Sequence, residues 1–230
     1  MKKLFLIIGI VLVSSMAVDA QSCATGFCPP TITVHHVAGP VSPTTGDITY
    51  NVVKAAVFGS ATGGYCMLDR NLGVTTLPTS ESDYTNGTGW FFQWGKVKGW
   101  TAASISANLA TYTQPASNAT TWPASEDPCA VLLGSAWRVP TASEWTAWGS
   151  TNFTPTLAFS TLKFSLNTYY TPSGTAGSSN YVTLWGNSST GSNGNAYSVY
   201  ASSVTGTFAY SPFGDPNYSQ PVRCIKNFAN

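Results

Sequence analysis

The stretch "GSAWRVPTASEWTAWGS", Gly134–Ser150, packs three tryptophans, an Arg-Val-Pro and a helix start into one short run. Pro140 keeps the residue before it extended, so a strand must stop there. Thr141 is placed to accept from the first helical amides, and Glu144, three residues on, to bond back: a Thr-x-x-Glu capping box. The spacing predicts a helix over about 141–149, with Trp145 and Trp148 on one face against a core. Each conspicuous residue therefore has a structural task. The stretch reads as a fold signature rather than as an active-site segment.

Working outward, the chain begins with a leader-like segment. Lys2 and Lys3 precede an apolar run from Leu4 to Val13, and Val18-Asp19-Ala20 has the small-x-small pattern of a cleavage site before Gln21. Residues 1–20 are expected to be a secretory signal peptide. No later stretch reaches the roughly 18 apolar residues of a membrane helix. Without the leader, eight basic and eight acidic residues remain, so the mature chain is formally neutral. Only 8% of the whole is charged, against about 25% in ordinary globular proteins. No basic stripe is available for nucleic acid or for an anionic membrane surface. The 30 Thr and 27 Ser, with 13% aromatic residues, describe instead a secreted, β-rich protein kept soluble by hydroxyl and amide groups. Five cysteines in such a chain imply disulfides and one sulfur over. Cys23 and Cys28 lie close together near the mature N-terminus and are one candidate disulfide, while Cys66, Cys129 and Cys224 are spread through the body. Spacing alone does not decide the connectivity.

Residues 21–45 comprise a tether, 21–30, ending in Pro29-Pro30, and an extension with an alternating strand, "TITVHHV": Thr31, Ile32, Thr33, Val34, His35, His36 and Val37. The alternation resumes in "DITYNVVKAAVF" (Asp47–Phe58). A strand leads into "YCMLDRNLG", closing on Gly73, and "GWFFQWGKVKGW" (Gly89–Trp100) is dense enough in aromatics to pack inside. Residues 101–126 read as a surface excursion. The last third reads as strands: Tyr181–Trp185, Asn195–Ala201, Gly206–Tyr210 and Pro221–Phe228, separated by Gly, Asn and Ser clusters. One main helix amid many short strands makes residues 46–230 an α+β domain dominated by β.

Five segments in order carry a resemblance: "LDRNLG" (Leu68–Gly73), "FFQWGK" (Phe91–Lys96), "DPCAVLLGSAWRVPTASEW" (Asp127–Trp145), "LWGNSST" before "NAYSVY", and "VRCIKN" (Val222–Asn227). Together they resemble the Fibrobacter succinogenes major paralogous (FISUMP) domain of secreted and surface proteins, from Val52 to the C-terminus. That domain is in turn similar to the C-type-lectin-like fold of formylglycine-generating enzymes. The resemblance implies a compact lectin-like fold whose signature residues here are Trp94, Trp137, Arg138, Pro140, Thr141, Glu144, Trp145 and Arg223. It supplies no known activity. Cys224 matches the terminal Arg-Cys position, and Cys129 with Cys224 reads as one disulfide joining the helix approach to the last strand.

The remaining chemistry is sparse. Calcium wants six or more oxygens, several from carboxylates, and the acids are scattered; Asp127-Pro128 and Trp185-Gly186-Asn187 are incomplete as a lectin calcium site. Asp69 beside Arg70 reads as a structural ion pair. His35 and His36 point to opposite faces of a strand, so one is expected exposed and one packed, not both on a metal. No cofactor is implied. Trp122, in the polar "NATTWPAS", is the aromatic most expected to be exposed and to stack on an extracellular polysaccharide. The N-terminal strand is the candidate subunit contact: added to a neighbour's sheet, it would propagate a homopolymer. The reading is a secreted, non-enzymatic structural or adhesive protein that assembles into extracellular fibres, with a carbohydrate-binding module as its alternative.

Overall fold

In the computed structural model, residues 28–39, 41–56, 64–105, 120–149, 159–160, 162–178, 180–189, 195–202 and 208–227 are described. The leader, Cys23 and the start of the tether lie outside them, as does the side chain of Trp148.

Numbered in chain order, β1 (Thr31–His36), β2 (Gly46–Ala56) and β3 (Gly64–Leu68) form an antiparallel meander. Its other side is extended by the C-terminal β11 (Ile225–Asn227) and then by β6 (Trp137–Arg138), in the order β1-β2-β3-β11-β6. A second sheet, β10-β4-β5, joins Ser219–Gln220, Phe91–Gln93 and Gly99–Trp100. A third is the meander β7 (Tyr181–Ser189), β8 (Ala196–Ser202) and β9 (Phe208–Gly214). Short helices punctuate these, among them α1 (Tyr84–Gly87), α2 (Ala102–Ile105), α3 (Pro128–Leu133) and α4 (Ala142–Gly149). The domain is α+β and dominated by β.

Aromatic side chains fill the interior. Trp94, Trp145, Trp185, Tyr50, Phe91, Phe92 and Phe164 are fully buried, each removing about 150–250 Å² from water. Tryptophan N–H groups need partners inside: Trp94 Nε1 donates to Gly186 O (2.9 Å) and Trp185 Nε1 to Phe92 O (2.6 Å). Tyr50 uses its hydroxyl to accept from Gly73 N at 2.9 Å. Gly73 sits at φ +87°, and a Cβ there would fall 2.3 Å from the Trp90 ring. Only glycine lets the chain turn against that indole.

Three expectations are corrected. Trp122 is 3% exposed, not a surface platform. Its backbone N donates to Asn187 O, its indole N–H to Glu126 O (2.8 Å), and its ring meets Trp94 at 6.0 Å. Those bonds fold this end of the 101–126 excursion back onto the core. Cys28 bonds to Cys66 rather than to Cys23, because the ladder of β1, β2 and β3 carries residue 28 over β3. The run Pro221–Phe228 is not one strand. Pro221 lacks an N–H, and the carbonyls of Pro221, Val222 and Cys224 accept from Trp185, Leu72 and Leu68 in three different places, so only Ile225–Asn227 is left to pair in a regular ladder.

Candidate functional site

The Trp-Arg-Val-Pro junction is a knot of fully committed polar groups. Arg138 Nη1 and Nη2 donate to Glu144 Oε2 and Oε1 at 2.7 and 2.6 Å, and Nη2 also reaches Asn227 Oδ1 at 2.7 Å. Glu144 Oε2 accepts from Thr141 N (2.7 Å), and Thr141 Oγ1 accepts from Glu144 N (3.4 Å), closing the capping box. Burial pushes the Glu144 carboxyl up, but the bonds from Arg138 and Thr141 outweigh it and hold it below its ordinary range. A carboxylate with both oxygens occupied by cation and amide is an anchor, not a general base. Trp137 is buried and Pro140 O accepts from Asn187 N at 2.7 Å, so β6 and the start of α4 are tied to β7. Trp145, fully buried, lies 5.9 Å from the Phe164 ring.

Arg223 is wholly buried. Its Nε donates to Asn71 Oδ1 (3.0 Å), Nη1 to Leu68 O (2.8 Å) and Leu162 O (2.9 Å), and its guanidinium lies 4.3 Å from the Phe164 ring centre. Asn71 in turn donates to Gly87 O at 2.9 Å. Burial lowers the Arg223 pKa to about 9, which leaves it charged at neutral pH. Cys129 and Cys224 form a disulfide, so neither sulfur in the signature is a free nucleophile. Asp69 pairs with Arg70 (2.9 Å) in the interior.

Asp127 is the structural residue that sequence reasoning undervalued. It caps α3, accepting from Cys129 N (2.8 Å) and Ala130 N (3.3 Å) on one oxygen, and from Val139 N (3.0 Å) on the other. Burial raises its pKa. The signal was present: Asp followed by Pro at the first helical position marks a helix start. Among the described residues no group of three or more His, Cys, Asp and Glu could hold a metal ion.

Among the described residues, what the scaffold leaves open is β1. Its register pairs Thr31 with Asn51, Thr33 with Thr49 and His35 with Asp47. Val52 N donates to Pro30 O at 2.9 Å, so residues 30, 32, 34 and 36 direct their backbone groups at β2. By antiparallel alternation Thr31, Thr33 and His35 direct theirs away, at the terminal edge of the five-stranded sheet. Val34 and His36 face the core, His36 edge-on to Trp90 at 4.7 Å, while His35 is exposed beside Asp47. The two histidines are thus one packed and one exposed. The tether cannot carry β1 away while Cys28 is bonded to Cys66; β1 is clamped in its own sheet. No family model, curated protein or solved structure matches the chain.

Proposed function

We propose that the mature chain is a secreted structural or adhesive surface protein, of the lectin-like FISUMP type, which assembles into an extracellular fibre through β1. Two disulfides suit an oxidising compartment. No helix among the described residues is long and apolar enough to cross a membrane, and the conspicuous Trp, Arg and Cys positions serve the scaffold.

The observation that carries the reading is the outer edge of β1. A strand edge with unpaired amides and carbonyls is a template for another chain, and proteins that must stay apart blunt it with Lys, Pro or a covering segment. Thr31–His36 contains neither Lys nor Pro, and Val37, just beyond, is 65% exposed. As the second edge we assign β9, the terminal strand of the third sheet among the described residues. Pairing β1 of one copy with β9 of the next is heterologous, and such contacts propagate rather than close. The clamp on β1 means that copies add to the edge without exchanging strands. Concentration-dependent sedimentation and negative-stain microscopy of the mature protein test this: filaments or a growing oligomer series support it, and a discrete monomer at high concentration refutes it.

A further inference from the structure

The 51 residues from Phe164 to Gly214 contain no Asp, Glu, Lys, Arg or His. They build the β7-β8-β9 sheet and the segment 167–180, which joins it where Asn167 N donates to Tyr181 O at 2.8 Å. Val182, Leu184 and Val199 turn one face of this sheet to the core. On the other face stand Tyr181 and Thr183 of β7, with Tyr200 of β8 opposite Thr183. Toward Trp185 that face is covered, but at the Tyr181 end it opens, and Tyr200 is 37% exposed.

Four tyrosines gather there. The Tyr181 and Tyr200 rings lie 4.3 Å apart, and Tyr169 stacks on Tyr218 at 5.5 Å with 13° between the planes. The bridges Asn167–Tyr181 and Tyr170–Ser219 set Tyr169 between the two ends of the row. Gly177 packs against the Tyr169 ring, where a Cβ would fall 2.2 Å from Cζ, so Tyr169, held between Gly177 and Tyr218, backs the row rather than offering a free face. Tyr200 is pushed up to about 12 by burial, by a hydrogen bond with Tyr181 and by the nearness of Tyr181 and Tyr169. Its hydroxyl is therefore a neutral donor at physiological pH.

We propose that the row Tyr181, Tyr200, Tyr169 and Tyr218 is a binding platform for a neutral polysaccharide. The partly exposed rings of Tyr181, Tyr200 and Tyr218 offer π faces to the C–H groups of a pyranose, their hydroxyl tips offer hydrogen bonds, and burial of rigid rings costs little side-chain entropy. Tyr169, Tyr181 and Tyr200 come from a stretch with no ion to meet a charged ligand, and the acid beside Tyr218, Asp215, whose carbonyl accepts from Tyr218 N, disfavours an anionic one. Tyr181 and Tyr200 lie on β7 and β8 of the sheet whose β9 edge is assigned to the neighbouring copy, so they stand off the strand that assembly would pair.

Native affinity electrophoresis of the mature protein in gels containing mixed-linkage β-glucan, xyloglucan, galactomannan or starch tests the proposal, with polygalacturonate as the anionic arm. Retardation by at least one neutral polymer, unchanged at high salt, is expected. Tyr200→Ala should weaken it about tenfold, the scale of one stacking contact, while Tyr200→Phe keeps most of it. A digest of the bound polymer should also protect Tyr200 of the unaltered protein from nitration, a readout independent of any variant's folding. No retardation by any neutral polymer, retardation by polygalacturonate alone, or full binding in Tyr200→Ala/Tyr218→Ala would each overturn it. So would a double variant that changes only the sedimentation coefficient, which makes the row a contact between copies.

Discussion

Arg223 and Asn71 stand 152 residues apart in the chain and share a hydrogen bond of 3.0 Å in the interior. The guanidinium also satisfies the carbonyls of Leu68 and Leu162, so one side chain fastens the C-terminal segment to two distant stretches. Arg223→Met removes all three donors and leaves buried acceptors unmet, each costing about 1–3 kcal/mol. A stability loss on the order of 3 kcal/mol is expected, a fall in Tm of roughly 6–12 °C, read by thermal unfolding. Unchanged Tm would show that this arginine is not scaffold.

Glu144 governs acid stability at the α4 start. Its folded-state pKa is depressed, so the stability it contributes is present above about pH 4.5 and fades as pH falls through the lower folded value. Glu144→Ala should cost about 2 kcal/mol at pH 7, from the lost cap and an Arg138 left without its carboxylate. The difference from the parent protein should shrink as the acid limb is approached in urea titrations.

His36 acts over a higher pH window. It is 1% exposed, and neither ring nitrogen has a hydrogen-bond partner. Burial, helped by His35 and opposed by Asp47, lowers its pKa from 6.5 to about 4. The unfolded chain binds the proton first, so stability is full above pH 6.5 and falls by up to about 1.4 kcal/mol per unit down to pH 4. His36→Phe should flatten that slope and be the more stable protein at pH 5. An equal slope in both would contradict the packing against Trp90.

The disulfides differ in reach. Cys129–Cys224 spans 95 residues and Cys28–Cys66 spans 38, worth about 5 and about 4 kcal/mol in the chain-entropy model. Replacing both members of a pair by Ala should lower stability in that order. Peptide mapping without reduction should recover both linked pairs, and a Cys23–Cys28 peptide would contradict the clamp on β1.

Local grammar made much of this legible. The Pro140 stop, the Thr141–Glu144 box and the opposite faces of His35 and His36 are written within a few residues of each other, and the structure has all three. What was not legible depends on partners far away. The strand that stops before Pro140 was readable, but nothing local predicts that Trp137 and Arg138 pair with Lys226 and Ile225. Trp122 looked exposed because its neighbours are polar, yet Trp94, Asn187 and Glu126 bury it. Cys28 found Cys66 through a strand register, not through sequence proximity. The candidate site follows the same rule: the alternation of Thr31–His36 was readable, whereas the direction of its free edge needed the Pro30–Val52 bond.

That direction supplies the sharpest test. Thr33 turns its N–H away from β2, so Thr33→Pro removes one outward donor and leaves the β1–β2 ladder whole, as proline is tolerated on strand edges. Sedimentation velocity of the mature protein and of Thr33→Pro, both with the two disulfides verified, compares them at matched concentrations. The account predicts polymers for the parent and a folded monomer for Thr33→Pro. Identical distributions for the two proteins, whether both monomeric or both polymeric, would contradict assembly through β1.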